Sequence, residues 1–416
     1  MIRIAISTLG CKINQAESAA IVDQFTSVQV VDWHDDADIY IINTCTVTNR
    51  TDYKSRYLIR QALTKKLANP QVKIVVTGCF AQRSAGEIAQ LGDVDFVIDN
   101  QQKLEIAAII AGKDYHFEDI MSQRDFAFEP TKKMHNHTRA FQKIQDGCDF
   151  YCSYCAVPYA RGHARSATLP QVLQQAKAFV ASGYKEIVLG GVNLGLYQNQ
   201  GTDLPSLLNH LSAIEGLELI RLSSIEPQLF SDKLVETLQH IPQLCPHFHI
   251  PLQSGSNTIL AQMRRHYDTA FVYQLLAKLI KAFPNAAIGL DMITGFPGET
   301  ETEHNKTAAF LQTLPLAYLH VFSYSKRKGT PAAMMPHQVT RDVKTQRTNQ
   351  LTALSHHFQA NYRKSLIDNQ VVLRGVVEVY KNGNNEAVSD HYLRLKVPEK
   401  LDIGKVVQIT ASEACL

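Results

Sequence analysis

Three cysteines early in the chain, Cys11, Cys45 and Cys79, are evenly spaced, and each stands just past a short apolar run. The runs are Ile2–Ser7, Asp38–Ile42 and Val72–Thr77, and Phe96-Val97-Ile98 begins a fourth. Helical stretches near Ala16–Phe25, Asp52–Leu67 and Gly86–Leu91 separate them. Alternation at this length predicts βαβ units and a parallel sheet. All strands of such a sheet point one way, and ligands gather beyond their carboxyl ends. The three thiols are therefore expected on one edge, in the strand-end turns Gly10-Cys11, Thr44-Cys45 and Gly78-Cys79. Glycine there lets backbone come close to a bulky ligand.

Residues 101–137 read as a polar connector containing Pro130. A second alternating region follows, with strands expected at Ala140–Gln145, Glu186–Gly190, Leu219–Ser223, Phe248–Leu252, Ala287–Ile293 and Tyr318–Phe322. Six βα repeats suit a partial (β/α)6 barrel with its chemistry at the strand C-termini. Another cysteine trio, Cys148, Cys152 and Cys155, follows the first of these strands in the spacing CxxxCxxC. A basic helical stretch, Arg341–Lys364, leads to Val371–Tyr380, Tyr392–Val397 and Val406–Thr410, with Asn382-Gly383-Asn384 as a turn. This last part reads as a small antiparallel β-barrel. The expected organisation is a multidomain α/β chain: a parallel-sheet domain over 1–115, a linker over 116–135, the barrel over 136–350, a connecting helix over 351–365 and the small barrel over 366–416.

A chain of 416 residues is long enough for several cores. It contains no long uncharged apolar span, so no transmembrane helix is expected. The N-terminus alternates like a strand and lacks the signal-peptide pattern. A cytoplasmic setting keeps thiols reduced, and there clustered cysteines read as metal sites before disulfides. The net charge of +3 permits nucleic-acid binding without arguing for it.

Thiolates suit iron–sulfur clusters or zinc. Three of them can hold a four-iron cluster while leaving one iron open to a small ligand. Zinc would need a fourth ligand, for which His163 is the nearest candidate. Single cysteines are common small hydrophobes, and Cys245 and Cys415 read as a packing thiol and a tail residue. The matching placement of Cys11, Cys45 and Cys79 after three successive strands sets them apart. Tyr154 adds an aromatic face beside Cys155.

At these residues the chain resembles the radical S-adenosylmethionine (SAM) methylthiotransferases. The likeness rests on CxxxCxxC with an aromatic before its last cysteine, and on motifs along nearly the whole chain. Among them are Thr8-Leu9-Gly10-Cys11-Lys12-Ile13-Asn14, Asn43-Thr44-Cys45-Thr46-Val47-Thr48, Val76-Thr77-Gly78-Cys79, Leu222-Ser223-Ser224-Ile225-Glu226-Pro227, Pro251-Leu252-Gln253-Ser254-Gly255-Ser256 and Gly295-Phe296-Pro297-Gly298-Glu299-Thr300. The resemblance implies two [4Fe–4S] clusters. One, on Cys148, Cys152 and Cys155, binds SAM and cleaves it to a 5′-deoxyadenosyl radical. The other, on Cys11, Cys45 and Cys79, carries the sulfur to be transferred. It also implies SAM contacts from Tyr154, Gly190, Gly191, Glu226, Gln253 and Arg265. Glu226 would take the ribose hydroxyls, and Gln253 and Arg265 the methionine carboxylate. Asp291 receives no role.

The sequence Cys11-Lys12-Ile13-Asn14 is similar to the branch acting on N6-threonylcarbamoyladenosine next to the tRNA anticodon. Leu194-Gly195-Leu196-Tyr197 and Tyr324–Thr330 suit that branch too, while Ser323 stands where proline is expected. The sibling branches act on isopentenyladenosine in tRNA or on a ribosomal protein. The implied partners are the tRNA anticodon stem-loop, an electron donor such as flavodoxin or ferredoxin, and a sulfur donor. The C-terminal segment resembles a TRAM domain, although its charge is near neutral, which offers phosphates little attraction. Tyr380 and Tyr392 are candidates for base stacking, with plain packing as the alternative. Basic surface is expected from Arg50, Lys54, Arg56 and Arg60 and from Lys326-Arg327-Lys328. A different class, a zinc-stabilised RNA-binding module, would use the same cysteines structurally.

Overall fold

A computed structural model describes every residue except 129, 136, 382 and 383. In the first domain, strands β1 (Ile2–Thr8), β2 (Val28–Val31), β3 (Ile39–Thr44), β4 (Lys73–Gly78) and β5 (Phe96–Val97) form one parallel sheet in the order β2-β1-β3-β4-β5. Helices α1 (Lys12–Asp23), α2 (Asn49–Ala68) and α3 (Cys79–Ala89) connect its strands. Strand β3 is buried along its whole length, as a central parallel strand must be when helices cover both faces.

All three helices start earlier than their sequence pattern predicts. Helix α1 has Cys11 as its N-cap and α3 has Gly78, neither with a side-chain cap bond. The usual Ser/Thr/Asp/Asn start signal is missing because a cysteine and a glycine hold those cap positions. Helix α2 carries its signal in plain view, a capping box between Thr48 and Thr51. The edge strand β2 has no counterpart in the sequence reading.

The barrel strands are β6 (Ala140–Lys143), β7 (Glu186–Gly190), β8 (Leu219–Leu222), β9 (His247–Gln253), β10 (Ala287–Thr294) and β11 (Tyr318–Ser323). They lie in two parallel groups, β8-β7-β6 and β9-β10-β11, joined by a bridge between Ile220 and Leu244. One apolar core, including Phe179, Leu189, Leu207, Phe248, Leu276 and Leu290, packs these strands against their helices. The expected strand over Ala140–Gln145 divides, because Gln145–Asp146 turns aside to pair antiparallel with Arg165–Ser166. The connector is largely irregular yet anchored: Met134 is buried, and Thr131 bonds to Asp23 and Gln175.

A 28-residue helix, Arg341–Asp368, leads to a curled antiparallel sheet. It holds β12 (Val372–Lys381), β13 (Asn384–Ser389), β14 (Arg394–Val397) and β15 (Val406–Thr410) in the order β14-β13-β12-β15. Strand β13 was not expected, and the turn expected at Asn382-Gly383-Asn384 lies partly outside the described residues. The sheet seats Val376 and Val406 on Leu219 and Cys245. Cys245 is thus a packing thiol, and Cys415 is also buried. Among the described residues no helix is long and apolar enough to cross a membrane.

Candidate active site

The CxxxCxxC loop runs from the end of β6 into a single helical turn, α4 (Val157–Arg161). Gly147, at φ +69°, abuts the His163 carbonyl so closely that no side chain fits there. Arg265 organises this loop. It donates to Cys152 Sγ (3.2 Å), the Tyr154 hydroxyl (3.4 Å), the Tyr267 hydroxyl (2.7 Å) and the Pro251 carbonyl (2.7 Å), and it pairs with Glu226. The Val157 N–H points at Cys155 Sγ (3.4 Å). N–H groups aimed at sulfur are how proteins support thiolates bound to metal.

Burial pushes the Cys148 thiol up to about 11 and the Cys155 thiol up to about 12, and the neighbouring thiols add to the rise. Burial likewise raises Glu226 above the usual carboxylate range, against the pull of Arg265. A cationic core bound among these sulfurs would reverse that preference and deprotonate them. Gln253 ends β9 in the left-handed region (φ +73°), next to a bulge, and faces a cavity. A side chain on Gly191 would meet Gln145, whereas Gly190 has ordinary space around it.

Cys11, Cys45 and Cys79 stand together at the carboxyl edge of β1, β3 and β4. A side chain on Gly10 would fall 2.7 Å from Cys45 Sγ, and one on Gly78 would strike the Thr44 carbonyl. Both glycines are in the left-handed region (φ +96° and +93°), so the thiols converge only because these positions are bare. Burial first, then the charges of Cys79 and Cys11, push the Cys45 thiol up to about 12.

Among the described residues, neither trio draws its three sulfurs within 4.8 Å of one another. Three thiolates on one zinc ion would be about 3.8 Å apart, given Zn–S bonds of about 2.3 Å. A four-iron core binds each thiolate through a different iron and needs the wider spacing. His163, the candidate fourth zinc ligand, is instead turned to Asp149 (2.7 Å).

A buried ionic network, missed in the sequence, links the two trios. Arg161, the last residue of α4, donates to Cys79 Sγ (3.3 Å), Asn14 Oδ1 (2.6 Å), Glu17 (2.7 and 3.0 Å) and Asp146 (3.2 Å). Lys103, Lys143 and Arg165 complete the set around Glu17 and Asp146. Burial alone would raise both carboxyls, but Arg161 and the lysines hold them well below the usual range. Four cations therefore face two carboxylates beside Cys79. Isolated polar residues up to 147 positions apart give no sequence signal.

A cavity of about 290 Å³ opens beside Cys155, across from the turn that follows Cys45. Tyr154, Cys155, Gln253 and Phe322 line it from the barrel, and Val47 and Thr48 from the turn after Cys45.

Residues 3–99 match the Uncharacterized protein family UPF0004, and residues 143–311 the Radical SAM superfamily. The chain is 40% identical to the threonylcarbamoyladenosine tRNA methylthiotransferase MtaB of Bacillus subtilis, covering all of this chain and 94% of that one. It is 33% identical to the protein of that name from Aquifex aeolicus, covering 98% and 99%. The chain belongs to the radical SAM methylthiotransferase family. A ribosomal protein uS12 methylthiotransferase from Desulfitobacterium hafniense is 30% identical over 99% of this chain and 96% of its own length. The fold is shared with the radical SAM methyltransferase TsrM of Kitasatospora setae (TM-score 0.61, 15% identity, covering 80% and 77%). As a radical SAM methylthiotransferase, the chain uses SAM and a [4Fe–4S] cluster.

The expectation of basic surface for RNA contacts is corrected at two residues. Arg327 is not basic surface: it is buried and ties β11's following loop to the first domain through Asp52 (2.5 Å), Thr46 (2.8 Å) and Asn49 (2.6 Å). Arg56 is spent on Glu87 (2.9 Å). The Tyr392 ring is stacked on His247 (4.7 Å between centroids) and lies under Lys12 and Arg221, while the residue stays 36% exposed.

Proposed function

We propose that the chain inserts a methylthio group at C2 of N6-threonylcarbamoyladenosine, at position 37 of tRNA beside the anticodon. The observation that carries this reading is the cavity with Cys155 on one wall and the turn after Cys45 on the other. A base held there lies between a radical source and a sulfur source. Cys148, Cys152 and Cys155 are assigned to the cluster that binds SAM, and Cys11, Cys45 and Cys79 to a second [4Fe–4S] cluster. The convergence of the three thiols at one sheet edge and the excess of buried cations beside Cys79 support an anionic, many-iron group at that position. When bound, these groups supply one-electron cleavage of SAM and the transferable sulfur.

The chain's own residues bind and orient. Glu226, Gln253 and Arg265, with Tyr154 and the Gly190-Gly191 backbone, are assigned to SAM. Helix α2 supplies the RNA face: Arg50, Tyr53, Lys54, Tyr57 and Arg60 form one exposed stripe leading from the cavity mouth. Cations track phosphates while exposed rings stack on bases. An electron donor such as flavodoxin or ferredoxin and a sulfur donor complete the reaction.

Nucleoside mass spectrometry of a deletion strain tests the substrate. Loss of 2-methylthio-N6-threonylcarbamoyladenosine is expected. Its persistence at normal levels would refute the reading, and loss of the isopentenyl product or of the ribosomal-protein mark would transfer the chain to a sibling branch. Anaerobic purification tests the class: brown protein with about eight irons is expected for two four-iron clusters, whereas colourless zinc protein would point to the RNA-binding module.

A further inference from the structure

Behind the cavity, three adjacent strands turn polar side chains inward at one level: His249 from β9, Asp291 from β10 and His320 from β11. Asp291 Oδ1 lies 2.9 Å from His249 Nε2 and 3.6 Å from His320 Nδ1. The Tyr318 hydroxyl, 2.9 Å from His249 Nδ1 and 2.7 Å from His247 Nε2, fixes the first imidazole from behind. This arrangement is built into the strands. Gly289 lies opposite both His249 and Tyr318 in register, and any side chain on it would overlap the Tyr318 ring.

Barrel interiors are normally filled by branched aliphatic side chains. Here the lumen behind the cavity is instead polar, and neither cysteine trio uses these groups. Asp291 forms part of the cavity wall, as does Phe322, two residues beyond His320. Burial would raise the Asp291 carboxyl, but the two imidazoles outweigh it and hold it near 2, so it is ionised at neutral pH. His320 commits one ring nitrogen toward Asp291 and keeps 48% of its side chain exposed. The cluster thus offers a fixed acceptor in the wall and an open imidazole beside it.

We propose that His249, Asp291 and His320 recognise the substituent on N6 of the target adenine, Asp291 accepting from the carbamoyl N–H groups and His320 donating to the terminal carboxylate. This rests on the substrate reading above and adds the residues that choose between branches. A threonylcarbamoyl group brings both donors and an anion. An isopentenyl group is hydrocarbon and would desolvate Asp291 and His320 while offering neither of them a further polar partner. Sites built to hydrogen-bond a substrate group reject analogues lacking it by on the order of 10⁴-fold, far beyond what apolar contacts achieve. His249 is a positioning residue that acts through Asp291.

The test uses the anaerobically reconstituted full chain and two synthetic anticodon stem-loops, identical except for threonylcarbamoyl or isopentenyl on N6. The wild type should favour the first by on the order of 10⁴-fold in kcat/KM. His320→Phe should cut that ratio at least about tenfold, mainly by raising KM for the threonylcarbamoyl RNA, and His320→Gln, which keeps a donor, should recover part of it. Iron content and the cluster absorption spectrum control for folding. The half-exposed His320 keeps the experiment informative even where Asp291→Asn fails to fold. An unchanged ratio in His320→Phe would overturn the inference. So would one zinc per wild-type chain with only nitrogen and oxygen neighbours by X-ray absorption, since the cluster would then be a metal site. Failure of the underlying reading looks different: the wild type would make no product from the threonylcarbamoyl RNA.

Discussion

Replacing Arg161 with methionine keeps most of the apolar stem and removes the guanidinium that joins the two cysteine sites. The lost contacts are those to Glu17 (2.7 and 3.0 Å), Asp146 (3.2 Å), Asn14 (2.6 Å) and Cys79 Sγ (3.3 Å). Breaking a buried ion pair by removing one partner costs about 3–5 kcal/mol, because the remaining charge is left uncompensated. Here Lys103 and Lys143 still face Glu17, and Lys143 and Arg165 still face Asp146. The loss should therefore fall at the lower end, about 3 kcal/mol. Urea unfolding of iron-free chain measures it. Glu17→Gln in the Arg161→Met background should cost less than in the wild type, with a coupling of at least about 1 kcal/mol. Reconstituted Arg161→Met should hold about four irons instead of about eight, losing those of the second cluster. A loss under about 1 kcal/mol, or two additive effects, would refute the claim that this network is a single electrostatic unit.

Lys103 is fully buried, and burial, then Arg161, holds its ammonium down at about 8. The folded chain releases this proton before the unfolded chain does, so stability should rise from about pH 8 to about pH 10.4, the value for a free lysine. Urea midpoints of iron-free chain at both ends of that window should show a smaller rise in Lys103→Met; equal rises contradict the assignment. Cys152→Ala should abolish SAM cleavage, followed as 5′-deoxyadenosine. Cys45→Ala should retain uncoupled cleavage but insert no sulfur, and product from that variant would remove the role given to the second trio. Gly78→Ala combines a left-handed backbone with a clash against Thr44; it should destabilise the chain by more than about 1 kcal/mol and lower the iron content, and normal iron would show that Cys79 needs no such close approach.

Much of this architecture is legible because it follows from period and handedness. Cys11, Cys45 and Cys79 could be grouped from sequence since parallel strands deliver their ends to one edge, whatever lies between. The six barrel strands are equally visible as apolar runs. The helix starts at Lys12 and Cys79 leave no mark in the sequence because a cysteine and a glycine occupy the cap positions and neither makes a side-chain cap bond. Strand β2 is four residues long and only partly buried, too short for its alternation to register. Arg161, Glu17 and Asp146 are single polar residues from distant segments, and only the folded chain brings them together. Arg327 shows the converse failure: within Lys326-Arg327-Lys328 it reads as solvated charge, yet Asp52 draws it inside. Asp291 lay in a recognised strand, but its two histidine neighbours become apparent only when the register of three strands is known.

The stacked Tyr392 gives the C-terminal sheet a second significance. Its ring rests on His247, the first residue of β9, with the Lys12 ammonium over it. Arg221 reinforces the joint by donating to the carbonyls of Ser389 (2.8 Å) and Asp390 (3.2 Å). A barrel that handles a carbon radical must keep stray hydrogen donors out, and this sheet packs over it where β9 begins. A chain cut after the long helix would thus lose its seal as well as a domain, and its reaction should leak into unproductive quenching before RNA binding is considered.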